Sequence, residues 1–237
     1  NQFDAGGGEE LMRLNSGGLS VNGEIQWGSA SRLSANQSGS IELGDSTVPG
    51  TIPFIDFHHG LGFEQDFNVR LINDANGRLT CEGNLNVTGT TTTRVLTITG
   101  GADVAEPFQM SGKDLPKGSV VVIDETNPGH LRLSESAYDT RVAGIVSGAN
   151  DVNPGISLSH QGVMEGGQNV ALSGRVYVRA EAFNGAIKPG DLLTTSATPG
   201  HAMKVADRTQ AQGAILGKAM TALAEGKGWV LVLVTLQ

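Results

Sequence analysis

The sequence predicts an all-β protein in two parts. Residues 1–110 read as a fibrous segment, a β-sheet or prism that three copies would build together. Residues 111–237 read as a compact β-barrel-like domain. Three observations carry this expectation. Apolar and polar residues alternate along the first part, the period of half-buried strands. In the second part Val120-Val121-Val122-Ile123 and residues 229–234 are unbroken apolar runs, suited to strands buried on both faces. The second part also carries an imperfect internal duplication. Residues 219–225 are the one stretch that suits a turn or two of helix.

Taken in order, residues 1–15 are polar and contain Gly6-Gly7-Gly8, the composition of a flexible leader or linker. Leu19, Val21, Ile25 and Trp27 share one parity, and Ser20, Asn22, Glu24 and Gln26 the other, as in an amphipathic strand. A turn-rich stretch from 34 to 40 precedes Ile41 and Leu43, and 44–50 is a further loop. Ile55, Phe57, Leu61, Phe63, Phe67, Val69 and Leu71 are all odd, whereas Asp56, His58, Glu64, Asp66, Asn68 and Arg70 are all even. Gly60-Leu61-Gly62 suits a tight connection between two strands. Asn73-Asp74-Ala75-Asn76-Gly77 then turns the chain into a strand with Leu79 and Cys81. One such sheet alone leaves a face wet; three copies can pack their apolar faces around a common axis.

The stretch from 83 to 108 organises the rest. Leu85 and Val87 alternate with Asn84, Asn86 and Thr88, and Leu96 and Ile98 resume on the opposite parity. Residues 89–93 must therefore hold a bend, bulge or crossover. Thr90 to Thr93 suit extended structure but supply little to bury. A ribbon this thin invites partners of its own kind.

Ser111-Gly112-Lys113 marks the expected domain boundary. Beyond it, Lys117-Gly118, Pro128-Gly129-His130 and Ala143-Gly144-Ile145 match Pro189-Gly190-Asp191, Pro199-Gly200-His201 and Leu216-Gly217-Lys218 at offsets of about 71–73 residues. Two related β units closing one small barrel is the expected arrangement. The apolar run at 229–234 would be an aggregation hazard as an open edge. It is expected inside the sheet or paired across a subunit boundary.

Composition narrows the function classes. A chain of 237 residues holds one or two domains. Its 34 glycines are twice the usual share of about 7%. A net charge of −8 and a pI near 5.1 argue against nucleic acid as a partner. The acids are scattered and read as a solvated surface. No apolar stretch approaches the length of a membrane span, so membrane insertion is not expected. Asn1 stands first without a charged-then-apolar leader, which reads as a processed form or a fragment. Cys81 has no partner for an intrachain disulfide and reads as a small buried hydrophobe.

Leu85-Asn86-Val87-Thr88-Gly89-Thr90 and residues 96–108, with Phe54-Ile55-Asp56-Phe57-His58-His59-Gly60 and Asp66-Phe67-Asn68-Val69-Arg70, resemble the shaft-to-head joint of phage tail-fibre-like proteins. The resemblance covers about the middle third of the chain. It implies a homotrimer wound about one axis in a virion or extracellular appendage. Its partners would be other fibre, virion or appendage proteins and a cell- or particle-surface receptor, with a surface glycan as one receptor class. Residues 170–176 and Lys188-Pro189-Gly190-Asp191-Leu192-Leu193 resemble the small β-domains of phage capsid-stabilising proteins. Arg132-Leu133-Ser134, Tyr138-Asp139 and Val142-Ala143-Gly144-Ile145-Val146 resemble self-cleaving chaperone domains of phage appendages. Those two resemblances supply the alternatives: a capsid- or sheath-decorating protein, or a self-cleaving assembly chaperone.

Residues with chemistry-bearing side chains give no catalytic, cofactor or metal assignment. His58-His59 could meet their copies around a trimer axis, but neighbours on a strand face opposite ways, which favours surface or interface roles. Asp103 and Glu106, read as loop residues, suit backbone hydrogen bonds better than acid–base work. Ser157, Ser159 and His160 lack a nucleophile elbow. Gly112-Lys113, Gly217-Lys218 and Gly226-Lys227 lack the spacing of a phosphate loop and read as basic residues beside turns. His130 and His201 follow matched Pro-Gly pairs, the mark of inherited turn chemistry. Asn36-Gln37-Ser38 and Asn86-Val87-Thr88 fit the glycosylation pattern by chance. The expected function is binding rather than turnover, with no enzyme activity and the receptor-contacting residues left open.

Overall fold

Alternating apolar residues do form strands in the first part, but in ribbons too thin to enclose a core. The protein is described here by a computed structural model covering residues 2–4, 10–21, 25–27, 31–34, 40–44, 47–59, 66–159 and 166–236. Among these the fold is all-β, with nineteen strands. Gly6-Gly7-Gly8, Asn36-Gln37-Ser38, Gly60-Leu61-Gly62, Phe63 and His160 lie outside the described residues.

The chain divides into two compact units, Asn1–Thr93 and Arg94–Gln237. The first holds three antiparallel sheets of three strands each. They are β1 (Gln2–Asp4), β2 (Glu10–Asn15) and β3 (Gly18–Val21); β4 (Ile25–Trp27), β5 (Ser31–Ser34) and β6 (Ser40–Glu42); and β7 (Phe54–Phe57), β8 (Val69–Ala75) and β9 (Arg78–Glu82). The single strand expected across 19–27 is therefore split between two sheets. In the third sheet Ile55 lies opposite Leu71 and Phe57 opposite Val69, so the odd-numbered alternation sets the register. The Asn73 amide closes the next turn by donating to Ala75 O at 2.7 Å and Arg78 O at 2.6 Å. Cys81 on β9 is half-buried rather than buried. Between β9 and residue 103 no strand forms, although alternation predicts one. Asparagine, glycine and threonine bury too little there to hold a strand without a neighbour.

The second unit is one ten-stranded sheet, built from β10 (Asp103–Phe108), β11 (Val120–Ile123), β12 (Leu131–Leu133), β13 (Val142–Val146), β14 (Pro154–Ser157), β15 (Gln168–Glu181), β16 (Leu192–Thr195), β17 (Ala202–Lys204), β18 (Ile215–Ala219) and β19 (Lys227–Thr235). Strands β15, β17, β16, β18 and β19 close a barrel, because β19 pairs back onto β15 from Glu181↔Lys227 to Ser173↔Thr235. The unit begins ahead of the expected 110/111 boundary because β10 pairs with β14 and β15. Ser111 also belongs inside it: its N–H donates to Leu131 O at 2.8 Å.

The duplication appears as two copies of one arrangement. β11 is flanked by β12 and β13, as β16 is flanked by β17 and β18. Both copies carry a bulge, between Val121 and Val122 in one and between Leu193 and Thr194 in the other. The parallel bridge Met110↔Leu131 matches the parallel pair Ala180↔Ala202. Each copy is thus its own small ring, and they share β15. Its first half pairs with β10 and β13, its second with β17 and β19. This corrects the expectation that two half-units close one barrel. A fourteen-residue strand can serve two rings in succession, which a short one cannot.

Two cores follow. Val121, Leu131, Val146 and Val170 fill the first ring with Phe108 and Met110 against them. The second is built around Val176, Val178, Leu193, Leu216, Val230 and Val232. A hydroxyl–carboxylate pair occupies matched places with the roles exchanged. Ser111 Oγ donates to Asp124 in the first copy, and Ser196 Oγ donates to Glu181 at 2.9 Å in the second.

β19 lies between β15 and β18, the interior position expected of residues 229–234. It is not buried on both faces. Val230, Val232 and Val234 point inward, while Trp229 and Leu233 are 40% and 39% exposed. No helix forms over 219–225. Leu223 instead bridges to Ile187 through two hydrogen bonds of 2.9 and 3.0 Å, and the Leu231 N–H donates to Thr221 Oγ.

Candidate functional site

The first unit is stiffened locally by one cation. Arg70 on β8 donates from Nε to Asp56 Oδ1 at 2.5 Å and from Nη2 to Asp56 Oδ2 at 2.7 Å and Asp66 Oδ2 at 2.9 Å. Its guanidinium also lies 4.0 Å from the ring centroids of Phe54 and Phe67. Hydrogen bonding from Arg70 holds the Asp56 carboxyl below its usual range. β7 and β8 are thereby clamped by side chains, since a three-stranded ribbon has no second layer to do so.

Elsewhere in the first unit apolar side chains are open. Phe54, Ile55 and Phe57 are exposed on β7, and Leu79 on β9 is 71% exposed. Leu85 is 77% exposed and Val87 is also open, while in the second unit Val95, Leu96 and Ile98 are exposed. Ile41 on β6 is 69% exposed. Single exposed hydrophobes are ordinary, but a series within the first unit, from Ile41 on β6 to Val87, is the composition of an interaction surface. This series is the candidate site.

The described histidines are not grouped into a ligand set. His58 and His59 follow β7 rather than sit in it, so the opposite-face argument for adjacent strand residues does not apply. Both are exposed, and the His59 N–H donates to Asn68 Oδ1 at 2.6 Å. Among the described residues no three His, Cys, Asp or Glu side chains are grouped as metal ligands would be. His130 and His201 place Nδ1 at 3.4 and 2.8 Å from Pro128 O and Pro199 O, the same turn contact in both repeats.

Asp103 is on strand β10, not in a loop. It is 3% exposed and neither carboxylate oxygen has a hydrogen-bond partner. Burial pushes its pKa up, and the nearby buried Ser147 hydroxyl offsets part of that without completing a bond. Glu106 lies further along β10, opposite Val170, while Asp103 lies opposite Gly174. A carboxyl raised on folding favours the fold at low pH and loses that contribution as pH rises through its folded value. Asp103→Asn is therefore expected to stabilise the second unit at pH 7 by about 1–3 kcal/mol. Melting curves of both proteins from pH 4 to 8 check this; the gap should widen with pH, and equal melting temperatures throughout would contradict it.

The other chemistry-bearing residues are dispersed. Ser157 Oγ donates to Asn169 Oδ1 at 3.1 Å, Ser159 is exposed, and His160 lies outside the described residues. Lys113 lies in an exposed bend and Lys227 follows the bend at Glu225-Gly226 as the first residue of β19, while Lys218 is inside strand β18 rather than beside a turn. Ser134 is fully buried with an unpartnered hydroxyl, and the Asp139 carboxylate is held by Arg141 Nε and Nη2, both at 2.8 Å. Asn86 is exposed on the stretch after β9 that forms no strand.

Sequence reading missed β14. Strand β14 pairs in parallel with β10 and, among the described residues, with no other strand. Unequal spacing in the duplication marks it: residues 147–167 separate β13 from β15, whereas 220–226 suffice between β18 and β19.

No protein-family model matches the chain, and none of the curated proteins does. Among solved structures it is similar to the pre-mature bacteriophage phi29 gene product 12. The identity is 17% and the TM-score 0.41, with 71% of this chain and 24% of that chain covered. The chain thus spans about a quarter of that structure's length.

Proposed function

We propose that this chain is a structural and adhesive fibre protein. It acts as a homotrimer in a virion or extracellular appendage and binds a cell- or particle-surface receptor without turnover. The observation that carries the reading is the contrast between the two units. The second buries Val121, Val178, Leu193 and Val232 completely, while the first leaves Ile41, Phe57 and Leu79 open to water. A sheet that cannot cover its own apolar face gains most from copies of itself, and threefold winding covers all three faces at once. Three weak receptor contacts on one stiff axis then add through avidity.

Light scattering on the purified chain tests this. The expected mass is three times the 24.6 kDa chain mass. A stable, folded monomer at micromolar concentration would refute it.

A further inference from the structure

We infer that β14 is a docking edge for a second copy of this chain, taking up residues 84–88 of its neighbour as an added strand. The inference rests on the trimer reading above and says where one copy holds the next. β14 belongs to the segment 147–167, which has no counterpart of similar length in the other repeat. Lengthened connections in one repeat of a duplicated fold commonly supply its binding face. The barrel does not need β14 for closure, since the first ring returns from β12 to β10 through Met110↔Leu131. Among the described residues the strand has one paired side, through Val104↔Ile156 and Ala105↔Ser157, and an open edge is a template for a further strand.

The surface around it offers apolar side chains. Ile156 and Leu158 are exposed, and a cavity of about 270 Å³ lies between Ile98, Val104, Ile156 and Arg175. Residues 84–88 supply what such an edge takes. Leu85 and Val87 alternate with Asn84, Asn86 and Thr88, both apolar side chains are exposed, and no strand forms there in the single chain. Adding this segment to β14 places Leu85 and Val87 on one face, toward Ile156 and the cavity, and leaves the asparagines toward water. Because donor segment and acceptor edge differ, the contact is head-to-tail, and three such contacts close a ring.

The test uses the full chain with a photoreactive benzoylphenylalanine in place of Val87, irradiated after assembly and run on a denaturing gel. The expected result is a covalent product of two or three chain masses whose cross-linked peptide contains residues 154–158. If light scattering shows a trimer but cross-links stay within one chain or map elsewhere, the docking edge is refuted while the fibre reading stands. A monomer in light scattering refutes both. As a second variant, Ile156→Asp should raise the concentration at half-dissociation at least tenfold, because the side chain is exposed in the single chain and covered in the assembly. Unchanged dissociation with an unchanged melting temperature also overturns the inference.

Discussion

Val232→Asp should unfold the second unit near room temperature or leave it barely folded. Val232 is fully buried on β19, opposite Val176 on β15 and Ala219 on β18. A carboxylate there has no cation beside it in the surrounding cluster of Val176, Val178, Leu193 and Val230. An uncompensated buried charge costs about 3–5 kcal/mol, and domains of this size are stable by only about 5–15. Deleting residues 229–237 should do more. It removes most of a strand whose pairing with β15 closes the barrel, and it leaves both β15 and β18 with open edges. Far-ultraviolet circular dichroism and thermal melting beside the parent check both variants. If both keep the parent's melting temperature, β19 is not the closing strand.

Gly217→Ala is the second large effect expected, and Gly144→Ala should mirror it. Gly217 sits at the bulge of β18 with φ +156°, where an added Cβ would lie 2.2 Å from Leu233 O. Gly144 has φ +152° at the matching bulge of β13, and its Cβ would meet Ala171 O at 2.5 Å. Both obstacles are backbone carbonyls of the next strand, so no side-chain rotation relieves them. Sheet separation must open locally, at about 3 kcal/mol or more when backbone strain and lost ladder bonds are combined. Parallel losses in the two variants, read from urea midpoints, would show that the repeats use one bulge in the same way. A loss below about 0.5 kcal/mol in either would mean that the sheet yields freely at that point.

These two glycines also show what the sequence made legible. Gly144 and Gly217 align in the duplication because a bulge that brings one strand against its neighbour's carbonyl admits no side chain. The Pro-Gly-His turns align for a related reason, since the same local contact is repeated. Strand positions in the second unit were readable because Val-rich runs and turn residues act locally. How the repeats share β15 was not, because Gln168–Glu181 reads as one strand whether it serves one ring or two. The helix expected over 219–225 lost to a tertiary bridge, Ile187↔Leu223, which composition does not encode. The expected boundary at Ser111-Gly112-Lys113 failed likewise. Small polar residues read as a linker, whereas Ser111 is fixed by Leu131 and Asp124, both distant in sequence.

In the first unit, parity gave the pairing of β7 with β8 but not what covers its apolar face. Ile55 and Leu71 face each other as the alternation implies, yet Ile55 remains exposed. Residues 84–98 extend that point. Their alternation is strand-like, yet among the described residues no strand pairs with them.

The division of labour between the units is tested most directly by sedimentation velocity on the full chain beside the fragment 94–237, at equal micromolar concentrations. The fragment contains both rings and both buried clusters. It is expected to sediment as a folded monomer, with the full chain as a trimer. A trimeric fragment would place the assembly contacts wholly within the second unit and contradict a role for residues 1–93, and a folded monomeric full chain would contradict the account outright.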